Sequence, residues 1–210
     1  MVLERLNDTD TSNSISEPVR YIHQATGATM VKVSAGEIFV TAGEELITTV
    51  LGSCVAVCMR NTRSGLGGMN HFMLPGSRSS MAEPNLANTH NSPRYGEYAM
   101  TSLIGALIDR EDEIADLEAK IFGGAHVIEL NSEIGRANIS FAISYLKEQK
   151  IRVAALDVGS DYPRKLIYDP KSGVIRLQRL RSAYRGYVAQ NERRNLNNLI
   201  ASTTKPSTRP

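Results

Sequence analysis

The sequence predicts an α+β fold. Short apolar runs of strand-like composition outnumber helical stretches, they follow one another across turn-forming clusters as hairpins do, and two stretches show an amphipathic helical period. At 210 residues, with 41% hydrophobic and 22% charged side chains, the chain is long enough for one well-buried domain with loose ends. No uninterrupted apolar run approaches the roughly 20 residues that a membrane span needs, so an integral membrane protein is not expected.

Residues 1–18 are rich in Ser, Thr, Asn and Asp and lack the apolar core of a secretory signal. They read as a disordered leader, and cytoplasmic residence is the expectation. Arg20 to Val40 holds one or two short strands. Thr48 to Pro75 reads as a β-hairpin, and the polar stretch 76–93 after it as a long loop, a binding element or lid. Tyr95, Tyr98, Ala99, Leu103, Ala106 and Leu107 recur at helical spacing. Residues 117–127 form a buried strand ending on Gly123-Gly124, whose glycines suit a tight turn or a close backbone approach to the active strand. They lack the spacing of a dinucleotide site. A second helix covers Ile134 to Leu146, and Ile151 to Gly159 is a strand. A hairpin turning at Asp169–Gly173 follows, then a polar helix near Asn191–Ile200. The expected organisation is a leader over 1–18, a single domain over 19–180 and a basic C-terminal extension over 181–210.

The net charge of +2 hides an asymmetry. Residues 163–210 carry 11 Lys/Arg against 2 Asp/Glu, leaving 13 basic and 20 acidic groups in the first 162 residues. Such an end suits an acidic partner or an anionic membrane surface, or is a solvated tail. The Arg-rich stretch 176–194 has little aromatic interleaving beyond Tyr184 and Tyr187, so no nucleic-acid partner is expected.

The hairpin carries the chemistry. A turn cluster, Asn61-Thr62-Arg63-Ser64-Gly65, separates VAVCMRN from LGGMNHFML. A loop centred between Thr62 and Arg63 pairs residues whose numbers sum to 125, placing Cys54 opposite His71. Directly opposed residues have Cβ atoms about 4.5–5.5 Å apart, within reach of a thiol–imidazole hydrogen bond. A neighbouring histidine lowers a thiol pKa by forming an ion pair, and then protonates the leaving group. Gly52 and Ser53 bring backbone N–H groups to a substrate carbonyl, where they stabilise a tetrahedral oxyanion. A hydroxyl from Thr48 or Thr49 is placed to orient the imidazole. Cys58 reads as a small buried hydrophobe. Cys54 and Cys58, about 13 Å apart along a strand, are too distant for a disulfide and read as free thiols. Zinc held by Cys54, Cys58 and His71 matches no familiar spacing and has no evident fourth ligand. His90 and His126 read as incidental, and His23 has no context.

Taken in order, LGSCVAVCMRN, GGMNHFMLP, RYGEYAM, KIFGGAHV, IGRANISF and DVGSDYPRKLIYDPKSGVI resemble the chemoreceptor glutamine deamidase CheD family, from about Val31 to Val174. The resemblance implies hydrolysis of glutamine side chains to glutamate in the helical cytoplasmic region of methyl-accepting chemotaxis receptors. It implies a layered α/β/β sandwich of mostly antiparallel strands with helices on one side, related to the cytotoxic necrotising factor catalytic domains. It implies a Cys–His–Thr trio falling on Cys54, His71 and Thr48, the threonine six positions before the cysteine, with no cofactor or metal. Some members are also reported to act on receptor methyl esters, and many bind a CheC-type chemotaxis phosphatase, which makes one a candidate partner. The chain departs from the family in having Gly159-Ser160 where a double glycine is common. The rival reading is a non-catalytic regulator that binds a phosphatase or a receptor.

Overall fold

Turn chemistry and alternating burial build ten strands and three α-helices over the described residues, 18–76, 92–127 and 132–203, of the computed structural model. One sheet runs β1 (Val19–Ile22), β2 (Thr29–Lys32), β4 (Leu46–Leu51), β9 (Arg164–Tyr168), β10 (Ile175–Arg179). The other runs β3 (Glu37–Thr41), β6 (Gly67–Phe72), β5 (Val55–Asn61), β7 (Leu117–Gly123), β8 (Arg152–Val158). Strands β2–β4 and β7–β8 pair in parallel; every other pairing between these strands is antiparallel. The helices are α1 (Gly96–Gly105), α2 (Ser132–Glu148) and α3 (Ser182–Thr203), with a 3-10 turn at Glu111–Asp116.

The second sheet is the middle layer. Val55, Val57 and Met59 of β5 face Met100 and Leu103 of α1 and Ala142 and Leu146 of α2. The alternate residues, Ala56 and Cys58, face Ile47 and Leu51 of β4 and Leu166 and Tyr168 of β9. Strand β5 is therefore buried on both sides, which explains its unbroken apolar run VAVCM. Fully burying each such side chain stabilises the fold by about 1.5–3 kcal/mol. The expected α+β class and its helix, sheet and sheet layering match this arrangement. No helix among the described residues is long and apolar enough to cross a membrane.

Four pairs join strands adjacent in sequence: β1–β2, β5–β6, β7–β8 and β9–β10. The expectation that strands pair as sequence neighbours fails elsewhere, because the chain passes between sheets after β2, β3, β4 and β8 and brings together β2 with β4, β4 with β9 and β3 with β6. The expected strand region from Arg20 to Val40 holds three strands, one of them in the other sheet. The polar C-terminal helix is 22 residues long and starts well before Asn191. The leader up to residue 17, His90 and the loop from 77 to 91 lie outside the described residues.

The β5–β6 hairpin corrects the expected register. Ala56, not Cys54, lies opposite His71, and paired numbers sum to 127. The cause is Asn61, whose Oδ1 accepts from the N–H groups of Arg63 and Ser64, both at 3.0 Å. That side-chain turn centres the four-residue loop between Arg63 and Ser64, and Asn61 N–H closes it on Leu66 O at 2.8 Å. A shift of two preserves the side-chain face, so Cys54 becomes a diagonal neighbour of His71 on the inner face.

Candidate active site

Residues 52–54 carry the chain from β4 in one sheet to β5 in the other. Their carbonyls are anchored on the protein side. Gly52 O accepts from Ala125 N–H at 2.7 Å, and Cys54 O accepts from Gly124 N–H at 2.8 Å. Ser53 O accepts from the buried Asn138 Nδ2 of α2 at 3.3 Å, while the same amide holds Met73 O at 2.8 Å. A peptide unit points its N–H opposite its carbonyl, so anchoring Gly52 O and Ser53 O turns the N–H groups of Ser53 and Cys54 outward together.

Those donors converge on one carboxylate. Glu192 Oε1 accepts from Gly52 N–H at 3.1 Å and Cys54 N–H at 3.3 Å. Its Oε2 accepts from Ser53 N–H at 3.1 Å and Ser53 Oγ at 2.8 Å. Gly52 is needed for this approach: a Cβ there would lie 2.7 Å from Glu192 Oε1 and 2.9 Å from its Cδ. Gly123 performs a second close approach, one of the two roles expected of the glycine pair. It has φ +111°, and a Cβ would lie 2.2 Å from Cys54 O. The fully buried Arg164 locks that corner, donating from Nη1 to Gly123 O at 2.9 Å and Asp157 O at 2.6 Å, and from Nη2 to Gly159 O at 2.5 Å.

His71 faces the cysteine's side of the sheet and meets Thr49, not Thr48. Thr49 Oγ1 donates to Val33 O at 2.7 Å, which uses its one proton. It therefore accepts from His71 Nδ1–H at 2.9 Å. This fixes the tautomer and leaves the lone pair on Nε2, which is buried and has no hydrogen-bond partner among the described residues. The expected Thr48 contact is corrected by strand alternation. Ile47, Thr49 and Leu51 of β4 turn inward, whereas Thr48 turns the other way and donates to Leu166 O at 2.7 Å.

The thiol and imidazole stand neutral rather than as the expected ion pair. Burial pushes the Cys54 thiol well up, and the Glu192 carboxylate pushes it further. Burial pulls His71 down to about 4. Cys58 is also a free, buried thiol, raised by burial. A cavity of about 330 Å³ opens between Val33, Thr49, Cys54 and His71 on one wall and Tyr187 and Glu192 on the other. Among the described residues, no three His, Cys, Asp or Glu side chains converge to hold a metal ion.

Sequence reasoning singled out Cys54, His71, Gly52 and Ser53; Cys54 and His71 line the cleft, and Gly52 and Ser53 are tied to it through their bonds to Glu192. It missed Glu192, Asn138 and Arg164. Asn138 and Arg164 lie inside the motifs IGRANISF and DYPRKLIY and are buried polar residues, a signal that sequence alone does not display.

The model of the family described as CheD chemotactic sensory transduction matches residues 73–179, about half of the chain. A probable chemoreceptor glutamine deamidase CheD of Hahella chejuensis is 44% identical over 173 residues, 82% of this chain and 81% of the relative. The similarly described protein of Hydrogenovibrio crunogenus is 39% identical over 178 residues, 85% and 92% of the two chains. That of Saccharophagus degradans is 36% identical over 197 residues, 90% and 86%.

Proposed function

The chain belongs to the CheD family, and on that premise we propose that it deamidates glutamine side chains of chemoreceptors, using Cys54 as nucleophile. The observation that carries the reading is the convergence of the Gly52, Ser53 and Cys54 N–H groups on one carboxylate in the cleft that holds Cys54 and His71. A donor set that grips a carboxylate also grips the oxyanion of a tetrahedral amide adduct.

His71 Nε2 takes the Cys54 proton as Sγ bonds to the amide carbon, and the carbonyl oxygen becomes an oxyanion held by the N–H groups of Gly52 and Cys54, which meet at one oxygen of Glu192. The C–N bond then breaks as the imidazolium returns its proton to the nitrogen, which leaves as ammonia. The thioester is opened by water with His71 as base. The C–S bond breaks, the thiol is restored, and glutamate is released. Thr49 accepts from Nδ1–H throughout and holds the ring with Nε2 forward. We assign Thr49 this positioning role in place of the expected Thr48.

The reaction belongs in the cytoplasm, where the substrate helices of such receptors lie. A CheC-type phosphatase as regulatory partner and kinship with the cytotoxic necrotising factor catalytic domains are part of the same proposal. The experiment compares wild type with Cys54→Ala on a receptor cytoplasmic fragment, reading glutamine-to-glutamate conversion by peptide mass spectrometry. Wild type converts and the variant does not; conversion by the variant at the wild-type rate overturns the mechanism.

A further inference from the structure

Helix α3 is largely polar, yet it lays one face across the active site. Arg185, Val188, Ala189 and Glu192 fall at helical spacing on that face. Arg185 Nη2 donates to His126 O at 3.0 Å, Ala189 packs on Ala125 and Val127, and Val188 is 5% exposed. Glu192 follows one turn later and is 9% exposed. Among the described residues its carboxylate is met by four N–H and O–H donors rather than by a cation.

A glutamate side chain in those donors has the chemistry of the product of glutamine deamidation. Its planar carboxylate differs from the substrate amide by one oxygen in place of the nitrogen, and it enters from a helix. We propose that α3 is a resident product mimic, holding the substrate position in cis through Glu192 so that a receptor helix enters only when α3 leaves. This rests on the deamidase reading for the identity of the substrate, though not for the occupancy of the cleft.

The docking is suited to release. Its apolar part is little more than Val188 and Ala189, and a segment with so small a buried face opens at low free-energy cost. Tethering raises the local concentration of such a segment to the millimolar range, so a weakly held helix still competes with a dilute substrate. While it is seated, it covers the donors and adds a negative charge beside the thiol, which keeps the nucleophile protonated.

Iodoacetamide labelling of Cys54 in the full-length chain reads the seating of α3 without any turnover, with buried Cys58 as the internal control for folding. Glu192→Ala removes the mimic, and Val188→Asp undocks the helix while leaving Glu192 in place. Each raises the labelling rate of Cys54 by about tenfold or more, as expected when a site opens from a minor population, while Cys58 stays protected. Labelling of Cys54 at the wild-type rate in both variants overturns the proposal.

Turnover is read separately. Glu192→Gln presents a carboxamide in the substrate position. Peptide mass spectrometry shows position 192 converted to glutamate in that chain, and not when Cys54→Ala is added. If that carboxamide stays intact in a chain that deamidates a receptor fragment, residue 192 is not in the substrate pose and the mimic is overturned. If labelling rises in the undocked variants but neither the carboxamide nor the receptor fragment is converted, the deamidase reading fails and the cover over the cleft stands.

Discussion

Thr49 and His71 belong to different sheets and meet across the interface, Oγ1 to Nδ1 at 2.9 Å. Because Thr49 donates its own proton to Val33 O, this one contact decides which imidazole nitrogen can act as base.

Thr49→Val removes the acceptor for Nδ1–H and lets the ring turn or change tautomer. We expect kcat for deamidation to fall on the order of a hundredfold with KM unchanged, and Thr49→Ser to restore it. Thr48→Val removes only the bond to Leu166 O, costing about 1 kcal/mol of stability while leaving kcat intact. Steady-state kinetics of the three variants beside wild type check the assignment; loss of activity in Thr48→Val alone would return the role to Thr48.

The pH dependence of stability follows from His71. Its folded pKa is pulled from 6.5 down to about 4 by burial, so between those values the unfolded chain binds a proton that the folded chain refuses. The contribution is fully present above pH 6.5 and is lost as pH falls through that window, reaching about 3 kcal/mol near pH 4. Urea denaturation across pH 4–7 checks this. His71→Gln, which cannot titrate, has a shallower fall than wild type over the same range.

The parts of the site set by local sequence were legible, and those set by distant packing were not. Alternation along β5 and β6 put Cys54 and His71 on one face even though the Asn61 turn moved the register by two. The residues alone left Thr48 and Thr49 open and the family resemblance implied Thr48, but inward orientation on β4 belongs to Thr49, because neighbouring residues on a strand face opposite ways. Glu192 lies 138 residues from Cys54 in a polar stretch that looks like a solvated surface until the helix is docked. The same limit hid Asn138, whose helical neighbours give no sign that its amide spans two carbonyls.

Asn138 supports the donors without touching the cleft's reacting atoms. Asn138→Ala leaves Ser53 O and Met73 O without their side-chain donor and costs about 1–3 kcal/mol of stability. Freed from that anchor, the Ser53–Cys54 peptide no longer holds the Cys54 N–H on the oxyanion. We expect kcat to fall while KM for the receptor fragment stays close to wild type; a variant that loses stability but keeps kcat would show Asn138 to be structural only.

Gly123 makes the sharpest demand on a single residue type. Its φ of +111° is a conformation that side chains rarely adopt, and a Cβ would stand 2.2 Å from Cys54 O, a backbone atom that cannot swing away. Gly123→Ala therefore has to move either β7 or the cysteine loop, and Arg164 already pins β7 by its bond to Gly123 O. The loop is the element that yields, which draws Cys54 O away from Gly124 N–H and turns the donor groups off their common point. The expected outcome is a stability loss of at least about 2 kcal/mol together with loss of deamidation that outlasts refolding at low temperature. Gly159→Ala, also at positive φ but with nothing within 4 Å of its Cβ, bears the conformational cost alone. It should lose stability and keep its turnover, and equal activity losses in the two variants would refute the crowding at Cys54 as the cause.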